Sequence, residues 1–158
     1  MTRVYLDTEF IEDGHTIELL SIGLFTDDNR AFYAEPAETD RSRANEWVCE
    51  HVLPQLGGPI LPRREIAEQI VAFVGDEPEF WGYYADYDWV ALCQLYGTMM
   101  DLPDGWPMYC RDLKQWCDEL GNPPLPEQGD GEHNAFQDAF WNRKVWEFLA
   151  DRASSNAP

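Results

Sequence analysis

Two carboxylates, Asp7 and Glu9, interrupt the otherwise strand-like stretch YLDTEF at residues 5–10. In a strand, alternate side chains share a face, so the two acids stand on one side, about 7 Å apart along the chain. Buried there without partners, each would cost several kcal/mol, and their repulsion would push one toward protonation. A divalent cation removes both penalties, and hard carboxylate oxygens suit Mg²⁺ or Mn²⁺. The spacing alone fits equally well a strand that ends near Asp7 with both side chains in water. A metal site therefore needs further acids.

The segment DYDWVALCQLYG, residues 86–97, offers one. A helix starting near Asp86 places Asp88, Ala91, Leu92 and Leu95 on a single stripe, which turns Asp88 toward the core. Asp86 reads as its N-cap. The rival account of Asp88 is a first-turn acid favoured by the helix dipole. A third element, EHNAFQDAFWN, carries His133 and Asp138. Five positions within one helix would separate them by about 140°, so His133 is expected to precede the helix and Asp138 to lie inside it. Ala135 and Ala139 flank Asp138 and permit close approach to a sheet. Taken singly, His133 fits a loop or capping residue, and Asp138 a solvated acid.

These residues need a scaffold that brings them together. RVYLDTEF, TIELLSIGLF and AFYAE read as three strands joined by the turns EDGH and TDDNR, an antiparallel meander. TDRSRANEWVCEHVL predicts a helix, LGGPILP a break, and RREIAEQIVAFVG a second helix. EFWGYYA is the expected fourth strand and WPMYC a short fifth, followed by a helix over RDLKQWCDELG. The last helix spans roughly His133 to Ala150 by its apolar spacing. Strands first, then alternating strands and helices, predict an α/β domain over 1–150 with a five-stranded mixed sheet flanked by helices. The tail 151–158, DRASSNAP, lacks apolar anchors and is expected to fray.

Composition narrows the functional classes. The 158 residues suit one domain, and a 44% hydrophobic content with seven tryptophans can fill a core. A formal charge of −19 argues against a broad basic face for long nucleic acid, but not against a short segment held through cations. The four cysteines form no CxxC pair and read as buried thiols, and zinc is not expected. With neither a signal-length nor a membrane-length apolar run, the chain is expected to be soluble and cytoplasmic. His15 and His51 are assigned to a turn and a helix end.

DxE on the first strand, an inward Asp after the fourth and HxxxxD at the last helix resemble, in residue type and order, the DEDDh exonucleases. LDTEFIEDGHTIELLSIG and YDWVALCQLYG are most similar to a small bacterial group of 3′-to-5′ exoribonucleases, over nearly the whole chain. The resemblance implies a ribonuclease H-like fold and two divalent cations, Mg²⁺ or Mn²⁺. It implies Asp7, Glu9 and Asp138 as ligands of one ion, with Asp7 touching a second and Asp88 completing the site directly or through water. His133 becomes the general base, since an imidazole titrates near neutrality. The implied substrate is an RNA 3′ end, the product a nucleoside 5′-monophosphate, and the assembly a homodimer. YYADYD departs from the family, which often carries Asn before the Phe/Tyr-Asp of this motif, and leaves Asp86 as a competitor of Asp88.

Substrate contacts are less well specified by sequence. Phe10 is the best candidate for stacking on a terminal base, against a role as plain core. Trp81, Tyr84 and Trp89 read as core. Glu18 fits a ribose contact or, equally, a partner for a backbone or Arg group. Two rival functions stand beside the RNA reading: the same chemistry on DNA 3′ ends, and a noncatalytic acidic module that mimics nucleic acid.

Overall fold

The computed structural model of the chain describes residues 1–129 and 131–155. Its organising element is the first strand, β1 (Thr2–Glu12), which runs beyond the acid pair and into the segment expected to turn. Gly14, at φ +84°, makes the turn that leads to β2 (Ile17–Thr26). β1 and β2 pair antiparallel with Asp7 opposite Gly23 and Glu9 opposite Ser21. The register then slips, so that Phe10 meets Leu19. Such an irregularity bends and twists a ladder locally, here directly beside the acids. β3 (Ala31–Pro36) completes the antiparallel meander.

The sheet holds six strands where five were expected, in the order β4-β3-β2-β1-β5-β6. The addition is β4 (Ile60–Leu61), inside the Gly/Pro stretch read as a break, which pairs parallel with β3. Its position is fixed from the side: the buried Glu35 carboxylate accepts from the Gly57 and Gly58 N–H groups at 2.7 and 2.8 Å. Gly58 also leaves room for the Tyr33 ring, which a Cβ would strike. β5 (Pro78–Gly82) lies parallel to β1, and β6 (Arg111–Asp112) parallel to β5. β6 begins just after the WPMYC segment expected to form it. Met108 and Tyr109 within that segment are exposed.

Among the described residues, five α-helices surround the sheet. Before β4 comes α1 (Glu46–His51), much shorter than expected because Asn45 ends the preceding turn and caps the helix, accepting from Val48 N–H at 2.9 Å. α2 (Arg63–Val74), α3 (Asp86–Cys93) and α4 (Leu113–Glu119) follow, and α5 (Ala135–Ser155) closes the chain. α5 starts two residues after His133 and runs through Ser155, so much of the predicted frayed tail is helical. Residues 156–158 of that tail lie outside the described residues.

Strand alternation divides the core between two faces. Val4 and Leu6 point toward α2 and α3, where Ile66, Ile70, Ala91 and Leu92 are buried. Tyr5 points the other way, into Phe25 and Ala139 beneath α5. The four cysteines are free thiols; Cys93 and Cys117 are buried as expected, whereas Cys49 on α1 is exposed. Among the described residues no helix is long and apolar enough to cross a membrane.

Candidate active site

By the same alternation Asp7 and Glu9 extend the Tyr5 face and so stand beneath α5. Asp138 joins them from the first turns of that helix. One carboxylate oxygen from each of the three lies within 4.8 Å of the others, a spacing that one cation could bridge. The approach depends on small residues. Ala135 and Ala139 are fully buried, and opposite Asp7 in the ladder Gly23 has no space for a side chain, because a Cβ would collide with the Ala135 carbonyl. Buried Asn142 pins the helix by donating to the Leu6 carbonyl at 2.9 Å. The alanines were legible as a docking face. Gly23 was not, because only the fold reveals what crosses it.

Asp88 approaches from the opposite face. It is buried on the predicted stripe with Ala91 and Leu92, and Leu95 packs against the same core. Thr8, between the two first-strand acids, points its side chain to this face. Asp88 Oδ1 accepts from the Thr8 N–H at 2.9 Å and the Thr8 hydroxyl at 2.5 Å. Asp88 thus lines the same cavity while remaining outside the three-acid cluster. Asp86 is not the N-cap. Ala85 holds that position, its N–H donating to Asp112 Oδ2 at 2.8 Å, and Asp86 is the first helical residue, on the cavity wall.

The electrostatics follow from this crowding. Asp7, on the cavity floor, is held well above the usual carboxylate range by burial and then by the charges of Asp88, Asp138 and Glu9. Burial, then the charges of Asp138 and Asp88, push Glu9 up to about 8. Asp138 rises to about 7 through burial, although the backbone N–H groups of His133 and Asn134 oppose the shift. Asp88 rises only to about 6, because the two Thr8 hydrogen bonds offset its desolvation. Without a cation, this cluster favours protons.

The cavity encloses about 610 Å³. His133 stands on its wall, outside the helix, in the left-handed conformation with φ 67°. Asn134 caps α5, accepting from Phe136 and Gln137 N–H at 3.2 and 3.3 Å. The His133 ring packs edge-on against half-exposed Trp47, at 4.9 Å between centroids, and Trp47 stacks on His51. Gln128 donates to Asp138 Oδ1 from the Pro/Gly-rich loop. Trp47 carried no sequence signal because it lies on a segment remote from the acid motifs, and Gln128, five residues before His133, carried none because an irregular loop has no periodicity to read.

The candidate substrate contacts separate. Phe10 lines the cavity, partly buried and edge-on to Tyr87 at 5.8 Å. Glu18 lies outside the cavity lining, its carboxylate taken by Arg43 at 2.5 Å, the Arg pairing weighed against a ribose contact. Trp81 and Trp89 pack on the core, but Tyr84 does not: it is exposed on the cavity wall.

The fold is that of the ribonuclease H-like exonucleases. A product-bound exonuclease I matches with a TM-score of 0.63 at 14% identity, over 98% of this chain and 44% of that one. The RNase domain of yeast Pop2 matches with a TM-score of 0.53 at 12% identity, over 92% and 77% of the two chains. Sequence gives the narrower placement. Residues 2–150 match the 3′-5′ exoribonuclease Rv2179c-like domain, and the chain belongs to that family. The 3′-5′ exoribonuclease Rv2179c of Mycobacterium tuberculosis (strain ATCC 25618 / H37Rv) is 43% identical over 145 residues, covering 87% of this chain and 86% of that protein.

Proposed function

We infer that the protein is a divalent-cation-dependent 3′-to-5′ exoribonuclease that releases nucleoside 5′-monophosphates from RNA. The observation that carries this reading is the gathering of Asp7, Glu9 and Asp138 oxygens within 4.8 Å at the floor of an open cavity, in a chain of this family. The donor set fits hard cations: it is all carboxylate, crowded and raised in pKa. Asp7, Glu9 and Asp138 would hold one ion, and Asp7 with Asp88 a second. Bound Mg²⁺ or Mn²⁺ would supply positive charge to the phosphodiester and lower the pKa of water.

The remaining work falls to the chain itself. Thr8 and Asp88 tie the middle of β1 to α3 and hold Asp7 and Glu9 in place. One ring nitrogen of His133 takes the proton of the attacking water, the water oxygen bonds to phosphorus, and the 3′-oxygen departs. A nonhelical, left-handed residue at the cavity wall can present its ring to that water, which a residue inside α5 facing away could not. The homodimer and the cytoplasmic setting belong to this same reading.

A noncatalytic nucleic-acid mimic would need its acids spread over the surface, and here the informative ones converge in a cavity. The test is to incubate end-labelled RNA and DNA oligomers with the protein and Mg²⁺, Mn²⁺ or chelator, and to identify the products. Stepwise release of 5′-mononucleotides from RNA, abolished by chelator and by Asp7→Ala, is expected. Undiminished cleavage by purified Asp7→Ala protein would overturn the reading.

A further inference from the structure

Tyr84 occupies the cavity wall in a backbone conformation that a tyrosine rarely adopts, with φ 53°. In the left-handed region an L-residue's Cβ crowds the following carbonyl, a penalty that glycine avoids and asparagine tolerates. Burial of the side chain does not offset it, because Tyr84 is 66% exposed. The inward contact belongs to its neighbour: Tyr83 packs edge-on against Trp141 at 5.1 Å, while Tyr84 only meets Tyr83 at 4.8 Å. The turn itself is enforced by others. Gly82 approaches Ala85 so closely that a Cβ would come within 2.8 Å of the alanine methyl, and Asp112 holds the Ala85 N–H at 2.8 Å. A strained, exposed ring that the fold does not use is a reason to look for a role in the site.

The cavity lining specifies what that role is. Among the described residues that form it there is no Lys or Arg, although the acid cluster on its floor is read as the site of a polyanionic substrate. Away from the cluster no cation is offered to the phosphates, and the faces of the bases are a source of affinity that needs none. Exposed aromatic rings are what the wall offers, Tyr84 and half-exposed Tyr87 among them.

We propose that Tyr84 contacts the substrate directly, as the stacking platform for an unpaired nucleobase of the strand whose 3′ end enters the acid cluster. The proposal rests on the exoribonuclease reading above. It assigns the residue a role in affinity, not in the chemical step, and it gives a use to a tyrosine standing where asparagine would fit the backbone better.

Three proteins decide it: wild type, Tyr84→Asn, which relaxes the backbone and removes the ring, and Tyr84→Phe, which keeps ring and conformation. Mononucleotide release from short single-stranded RNA gives kcat and KM, and thermal melting reports folding. Tyr84→Asn is expected to raise KM about tenfold, as loss of one stacked base implies, with kcat within about twofold and an unchanged or higher melting temperature. Tyr84→Phe should keep the wild-type KM. The proposal is overturned by an unchanged KM in Tyr84→Asn, by a fall confined to kcat, or by a Tyr84→Phe defect equal to that of Tyr84→Asn. If wild type releases no mononucleotide, the underlying exoribonuclease reading fails and takes this assignment with it. Wild-type turnover with an indifferent Tyr84→Asn sinks the assignment alone.

Discussion

Asp7 and Asp13 lie six residues apart and face opposite electrostatic fates. Asp13, in the turn that follows β1, accepts from the backbone N–H groups of His15 and Thr16 at 2.9 and 2.7 Å. These donors, with the Thr16 hydroxyl and Arg43, hold it down to about 2. Asp7 has only burial and other carboxylates around it and is driven upward. An acid supplied with N–H donors is complete as it stands and shapes a turn. Acids crowded without donors need a cation, and that difference, more than acidity itself, marks the functional site.

Substitution separates the two kinds of acid most visibly. Asp7→Ala should abolish nucleotide release, and His133→Ala should slow it roughly 10²- to 10⁴-fold, the usual span for a general base. Single-turnover assays with excess Mn²⁺ would measure both. A His133→Ala enzyme with wild-type rates would remove that residue from the chemistry. Next in size is Gly23→Ala. Its methyl must displace the Ala135 backbone, so a loss of about 1–3 kcal/mol in urea unfolding is expected, with activity falling as Asp138 moves away from the strand acids. Unaltered activity would mean that the close approach of α5 is not what assembles the site.

Stability also responds to pH. Glu9 and Asp138 are raised to about 8 and about 7 in the folded chain, above their unfolded values. The folded protein therefore holds more protons between those limits. In chelator, the stability contributed by the protonated cluster is fully present below about pH 4 and is lost as pH rises toward 8. Urea midpoints across that range should decline, and both Mn²⁺ and Glu9→Gln should flatten the decline. A slope that survives Glu9→Gln unchanged would place its origin elsewhere. The smallest effect belongs to Asp13→Asn, for which a slightly lower melting temperature and unaltered nucleotide release are expected.

What was legible in the sequence was whatever local periodicity records. DxE on a strand, an inward Asp88 on a helical stripe and His133 outside the last helix all follow from spacing, and the structure places them accordingly. Legibility ended where the decisive contact is nonlocal. Gly23 reads as an ordinary strand glycine until α5 crosses it, and β4 is two residues in a Gly/Pro stretch, held by Glu35. Asp86 resembled a cap from its residue type, but the helix starts one residue earlier than that reading requires: Ala85 is the N-cap, with no side-chain capping bond, and Asp86 is already helical. Tyr84 has the residue type of a core position, but its left-handed backbone and exposed ring are features that residue type does not encode.

Asp7 and Glu9 are the carboxylates left without donors, waiting for a dication, and titration of the chelator-treated protein with Mn²⁺ by calorimetry at neutral pH reads out that demand. Run in buffers of different ionisation enthalpy, the titration should show saturable binding with net proton release, because acids raised in pKa must shed protons to ligate, and Asp7→Asn should lose it. Binding of equal strength and proton count in Asp7→Asn, or no saturable binding by wild type, would contradict the account.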